Sequence, residues 1–187
     1  MCGIVGFINR NNNINIDGIN TINNLINHLT HRGPDYKYTY IDKRNSIFFG
    51  HSRLSILDLS ANGNQPMKSN KGRYVILYNG EIYNHLDLRE ELKSKNNVNY
   101  WKGSSDTETI LGCIENWGID KTIPKLNGMF AIALYDTQSE NIYLIRDKFG
   151  EKPLYYGFVN DSFIFSSELK PIKSFPNFKN QICLNSL

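Results

Sequence analysis

Cys2 follows the initiator methionine directly in "MCGIVGF", with two glycines and three apolar residues in the next five positions. A thiolate is a strong nucleophile, but a free cysteine with a pKa near 8.5 is mostly protonated at neutral pH and needs a base. If Met1 is excised, as its small neighbour permits, the new α-amino group has a reference pKa of about 7.7–8.0. It sits on the same residue and could take the thiol proton directly or through a water, as in N-terminal threonine nucleophiles. Gly3 would let backbone and substrate approach closely. The competing reading is a small hydrophobe that starts a buried strand, and position alone does not choose between them.

Acyl transfer also needs donors for an oxyanion and groups that recognise the substrate. In "YNGEIYN" the Asn79 side-chain amide and the Gly80 N–H are adjacent donors at a strand end, and Glu81 beside them could hold an ammonium. Asn-Gly is equally a hairpin-turn signal. Against a hairpin, the apolar partner strand expected two residues on is missing, because "NHLDLREEL" reads as helix. Arg53 in "HSRLSILD" is either a solvent-facing charge on a strand or a bidentate clamp for a carboxylate. Asp106 in "SSDTE" is either a first-turn residue favoured by the helix dipole or a second anion for an ammonium. Together these groups suit an amino acid carrying a reactive side-chain amide.

Other chemistries find little support. There is no G-x-x-x-x-G-K-[ST], no G-x-G-x-x-G after a strand, no H-E-x-x-H and no G-x-S-x-G elbow. His28 and His31 bracket a helix end without a cluster of further ligands, so no metal site is expected. Three cysteines without C-x-x-C spacing imply neither a disulfide framework nor zinc. Cys113 and Cys183 read as packed thiols.

The elements must position this inventory. The 187 residues, 40% hydrophobic and 21% charged, fit one soluble globular domain. A net charge of +3 without a run of like charges argues against nucleic-acid or membrane surfaces. The absence of an apolar span or a signal-like N-terminus points to the cytoplasm. Strands are expected at Ile4–Ile8, Tyr36–Ile41, Ile47–Ile56 and Arg73–Tyr83, then in "MFAIALYD", "NIYLIRD", "PLYYGFV" and "SFIFSSE", the last two joined by a turn at Asn160-Asp161. Helical spacing marks Gly18–Thr30, broken by "HRGPD", a helix starting near Asn84, and one after Ser105, where Ser105 and Glu108 have capping-box spacing. The polar stretch Asn9–Asn15 reads as a loop. Without βαβ alternation the class is α+β with antiparallel sheets.

"MCGIVGF", "HRGPD", "GHSRLSILDLS", "YNGEIYN", "GSSDTE", "LNGMFAIALYD" and "RDKFGEKPLYYG", in this order, resemble the glutaminase domain of glutamine-hydrolysing asparagine synthetases, which are class II glutamine amidotransferases. The resemblance covers nearly the whole chain, so residues 1–187 are expected to form one such domain. It implies an N-terminal-nucleophile fold, a four-layer α/β/β/α sandwich. It also implies that Cys2 attacks L-glutamine to give a glutamyl thioester and ammonia, with Asn79 and Gly80 as the oxyanion hole. Arg53 would bind the α-carboxylate and Glu81 and Asp106 the α-ammonium, while the backbone of Leu54, Ser55, Ile56 and Leu57 lines the pocket.

No cofactor is expected in this domain. ATP and magnesium would belong to a synthetase domain, absent from these residues, that acts in cis or in trans to convert aspartate to asparagine. The chain stops about where the linking segment would begin. Alternatives are amidation of another carboxylate, such as a sugar acid, or a silent glutamine-binding domain. A homodimer is left open.

Overall fold

The structure is a computed structural model that describes residues 1–9, 17–96 and 98–180. β1 (Gly3–Asn9) is buried on both faces, as its run "GIVGFIN" demands, and occupies the middle of a five-stranded antiparallel sheet. Its neighbours are β3 (Ile47–Arg53) and β9 (Ser162–Ser166), with β2 (Tyr36–Asp42) and β8 (Tyr155–Val159) outside them. A second antiparallel sheet runs in the order β4 (Met67–Lys68), β5 (Tyr74–Ile82), β6 (Gly128–Asp136), β7 (Asn141–Arg146).

Three apolar layers hold these sheets. Between them, Ile4, Ile47, Phe49 and Phe165 of the first meet Val75, Leu77, Ala131, Ala133 and Tyr135 of the second. Outside the first sheet, Val5 and Phe7 pack on Ile22, Leu25 and Ile26 of α1 (Gly18–Asn27) and Ile172 of α5 (Leu169–Lys173). Outside the second, Ile76, Ile132 and Leu134 cover Leu88 and Leu92 of α2 (His85–Asn96) and Ile110, Cys113 and Ile114 of α3 (Asp106–Trp117). Each such side chain contributes roughly 1.5–3 kcal/mol by leaving water. The order is therefore helices, sheet, sheet, helices. A short α4 (Ile119–Thr122) follows α3, and among the described residues no helix is long and apolar enough to cross a membrane.

Several expected boundaries shift. α1 ends at Asn27, and residues 28–32 continue as turns in which Leu29 still reaches the core. β3 ends at Arg53 rather than Ile56. Its partner β2 begins opposite Arg53 at Tyr36, and Pro34 has no N–H with which to extend the ladder. Asn79-Gly80 is no hairpin turn: both residues lie inside β5, paired with Ala131 and Phe130 from distant β6. Ser105 caps α3 by accepting from Glu108 N at 3.3 Å, but the Glu108 carboxylate does not complete the box. It accepts instead from Lys102 N and Gly103 N. β4, α4 and α5 have no counterpart in the sequence reading. Asn160 takes φ 51° in the β8–β9 turn, as a hairpin requires. Cys183 and most of the Asn9–Asn15 stretch fall outside the described residues.

Candidate active site

Each sheet's inward row of side chains changes from apolar to polar at the same end of the sandwich. Along β3 the row reads Ile47, Phe49, His51, Arg53; along β5 it reads Val75, Leu77, Asn79, Glu81; on β1, Ile4 is followed outward by Cys2. Gly3 pairs with Ser52 in the β1–β3 ladder, so the next step places Cys2 opposite Arg53. The period-two pattern that builds the inter-sheet core thus delivers a thiol, an imidazole, a guanidinium, an amide and a carboxylate to one cleft of about 110 Å³.

Cys2 Sγ is held by the backbone of Leu54, whose N–H donates to it at 3.4 Å and whose carbonyl accepts from it at 3.6 Å. Burial pushes the thiol up, against the opposing pull of the Leu54 N–H and of nearby positive charge. The resting form is therefore the thiol. Behind it, Arg32 Nε donates to the Cys2 carbonyl at 3.0 Å while its NH1 pairs with Glu168 at 3.1 Å. Glu168 also meets His31 Nε2 at 2.9 Å. "HRGPD" therefore fixes the backbone of Cys2.

Two donors face the cleft without partners among the described residues. Asn79 is 1% exposed, and its Nδ2 makes no hydrogen bond. Gly80 follows from the strand register. Phe130, opposite it, directs its own N–H and C=O to Asp147 on the far side of β6. Gly80 and Phe130 are thus a non-hydrogen-bonded pair, and the Gly80 N–H points outward from β5. On that edge the flanking N–H of Tyr78 goes to Gln65 Oε1 at 2.6 Å and that of Ile82 to Asp106 Oδ2 at 3.0 Å. The Gly80 N–H is left aimed into the gap between them. A Cβ here would meet the Met129 carbonyl oxygen and stand 2.7 Å from Phe130 Cα, so glycine keeps β5 and β6 in register.

At the other end of the cleft, Arg53 NH1 donates to Ser60 O and Asn64 Oδ1, each at 2.7 Å, and NH2 donates to Asp58 O. Three of the five guanidinium N–H groups are committed, which fixes the plane and leaves two for a ligand. Asp106 Oδ2 accepts from the Tyr78 hydroxyl at 2.6 Å as well as from Ile82, leaving Oδ1 free among the described residues. Burial and the Asp106 charge push the Tyr78 hydroxyl far up, so it stays a donor. Leu54, Ile56, Leu57 and Glu81 line the cleft. Ser55, expected with them, does not: its N–H turns away to Asp35 Oδ2 at 2.7 Å. Cys113 packs in the outer core with its thiol pushed up to about 12 by burial.

The family described as "Glutamine amidotransferase domain" matches residues 1–187. The chain belongs to this glutamine amidotransferase domain family. Among the amidotransferase domain's curated relatives, the putative asparagine synthetase [glutamine-hydrolyzing] 2 of Methanocaldococcus jannaschii is 39% identical over 92% of this chain and 35% of its own length. Asparagine synthetase [glutamine-hydrolyzing] 3 of Bacillus subtilis is 35% identical over 97% of this chain and 29% of its own. The domain spans about a third of the length of these relatives.

Among solved structures, the glutamine phosphoribosylpyrophosphate amidotransferase from B. subtilis, complexed with ADP and GMP, superposes with a TM-score of 0.73 at 20% identity. That match covers 92% of this chain and 43% of that one, and it shows a shared fold.

The sequence reading of the amidotransferase domain missed several residues of the cleft. Met1, His51, Gln65 and Lys152 line it as well. His51 and Lys152 are buried, and Lys152 Nζ stands 3.3 Å from Met1 Sδ. His51 could have been found by extending the β3 row by one period toward Arg53. Lys152 could not, because its loop reaches the cleft through Asp147, whose carboxylate accepts from the N–H groups of Phe130, Phe149, Glu151 and Lys152.

Proposed function

We propose that residues 1–187 form a single glutaminase domain that releases ammonia and glutamate from L-glutamine through a Cys2 thioester. The observation that carries this reading is the placement of a half-buried thiol in the same cleft as two donors without partners among the described residues, Asn79 Nδ2 and the Gly80 N–H. Removal of Met1 frees the Cys2 α-amine, which takes the thiol proton. Sulfur attacks the carboxamide carbon, and the oxyanion forms against Asn79 and Gly80. The amine then returns the proton to the departing nitrogen, ammonia leaves, and a water hydrolyses the thioester.

Arg53 offers its two uncommitted N–H groups to the α-carboxylate, and Asp106 Oδ1 with Glu81 receives the α-ammonium. The names of the relatives favour a further assignment: the ammonia serves an ATP-dependent synthetase domain that converts aspartate to asparagine, joined in cis or acting in trans.

The test combines N-terminal mass analysis with an ammonia-release assay. Met1-free protein should turn over glutamine, whereas Cys2→Ala should abolish turnover and keep measurable glutamine binding. Met1-free protein that releases no ammonia would refute the reading.

A further inference from the structure

His51 is unexplained by that mechanism. It is 1% exposed and lines the cleft, and neither ring nitrogen has a hydrogen-bond partner. A buried polar group left unpaired costs roughly 1–3 kcal/mol, and on its inner side its neighbours are apolar: Phe49 precedes it on β3, and Ile4 is its partner across the ladder. An aliphatic residue would satisfy that packing without the penalty, so the imidazole is maintained for something that arrives in the cleft.

Its place limits what that is. Cys2 is its diagonal neighbour across the β1–β3 pair, a relation that sets such residues about 7–8 Å apart, within reach of the same small group. From the facing sheet the Tyr78 carbonyl acts on the ring, although short of hydrogen-bond geometry. Tyr78 directly precedes Asn79, so the ring sits beside the amide that is to hold the oxyanion. Burial, reinforced by the Arg53 charge, pushes the imidazole down to about 3, so it is neutral, with one donor and one acceptor nitrogen. The Tyr78 carbonyl can only accept. It therefore draws the ring N–H toward itself and leaves the lone pair of the other nitrogen to the cleft.

A primary carboxamide needs donors for its oxygen and acceptors for its two N–H groups. Asn79 and Gly80 meet the first need. For the second, Gln65 Oε1 is engaged by Tyr78 and the Asp58 carbonyl by Arg53, while Asp106 and Glu81 are assigned to the α-ammonium. We propose that His51 is a specificity-determining residue of the glutamine site, accepting a hydrogen bond from the substrate's carboxamide NH2 and so favouring glutamine over its product glutamate. A carboxylate has no hydrogen to offer and sets a negative oxygen against the lone pair. Sites built around a substrate N–H reject analogues that lack it in this way.

The inference rests on the glutaminase reading, and calorimetry of the Met1-free Cys2→Ala protein separates the two. With His51 intact this protein should bind glutamine more tightly than glutamate. His51→Phe should weaken glutamine about tenfold, the loss of one hydrogen bond, and change glutamate by less than about twofold. His51→Gln, which keeps an acceptor and a donor, should recover most of the glutamine affinity. His51→Met, whose flexible chain refills the same space, replaces the Phe variant if the ring is not accommodated.

Equal weakening of both ligands, or unchanged glutamine affinity, would overturn the role of His51 and leave the glutaminase reading standing. Absence of glutamine binding with His51 intact would overturn both.

Discussion

Replacing Asn79 by leucine removes a side-chain amide and keeps its branched shape, and the structure says that stability and activity should move in opposite directions. Asn79 sits in the inward row of β5 after Val75 and Leu77, 1% exposed, with Nδ2 unpaired. In the ligand-free protein this donor forfeits its water without a replacement, at roughly 1–3 kcal/mol. Leucine at this place continues the apolar row and recovers about 1 kcal/mol of that, which for a domain of this size raises Tm by about 2–4 °C.

In the transition state the same amide is to meet an oxyanion. Loss of one such donor costs about 10²–10³ in kcat. The assays are thermal unfolding of the Met1-free protein and initial-rate ammonia release at saturating glutamine. A variant with turnover within about threefold of the parent would refute the oxyanion role. A variant destabilised by more than about 2 kcal/mol would refute the claim that this amide is unpaired in the resting fold.

Two further changes probe how the site is held. Gly33→Ala places a methyl on the Ser52 carbonyl oxygen and about 2.5 Å from the Arg53 carbonyl carbon, where the Gly33 carbonyl accepts from Ser52 Oγ at 2.8 Å. Lifting "HRGPD" off β3 should cost roughly 1–3 kcal/mol, read as a lower urea midpoint at unchanged m, with turnover falling as the Arg32 contact to Cys2 loosens. Unchanged midpoint and turnover would refute the close approach.

Arg73 holds Asp136 through Nε to Oδ1 at 2.9 Å and NH2 to Oδ2 at 2.7 Å, and this bonding brings the carboxyl down to about 2. A depressed carboxyl stabilises the fold above its unfolded pKa of about 3.9 and ceases to do so as pH falls toward 2. Arg73→Met should therefore let the Asp136 titration climb toward its ordinary value. The stability gap between the two proteins should be full above about pH 4 and close toward pH 2, and a gap independent of pH would contradict the assignment.

Much of this site was legible because its residues lie on strands whose period is two. Cys2, Arg53, Asn79, Gly80, Glu81 and Asp106 are found together as their types had implied, and Ser105 caps α3 as its spacing required. Where local chemistry left two readings open, distant pairing chose between them. Asn-Gly favours a turn, yet β6 lies about 50 residues further along the chain and extends β5 straight through it, which aims the Gly80 N–H outward instead of round a hairpin. Ser55 turns away because Asp35, the last residue of "HRGPD", captures its N–H.

The sequence alone determined the class of fold, through alternation in the strands and helical spacing in α1 and α3, and pointed to the proposed chemistry, through a cysteine placed where an α-amine could become its base. Both are properties of neighbours along the chain. Only the tertiary structure decided which donors are free and which are already committed. Whether Asn79 Nδ2 is orphaned, whether Arg53 keeps N–H groups to spare, whether His51 is left unpaired, and whether Lys152 reaches the cleft all depend on groups brought from other strands and loops. Hydrogen-bond satisfaction is settled by that three-dimensional company, and no spacing in the sequence reports it.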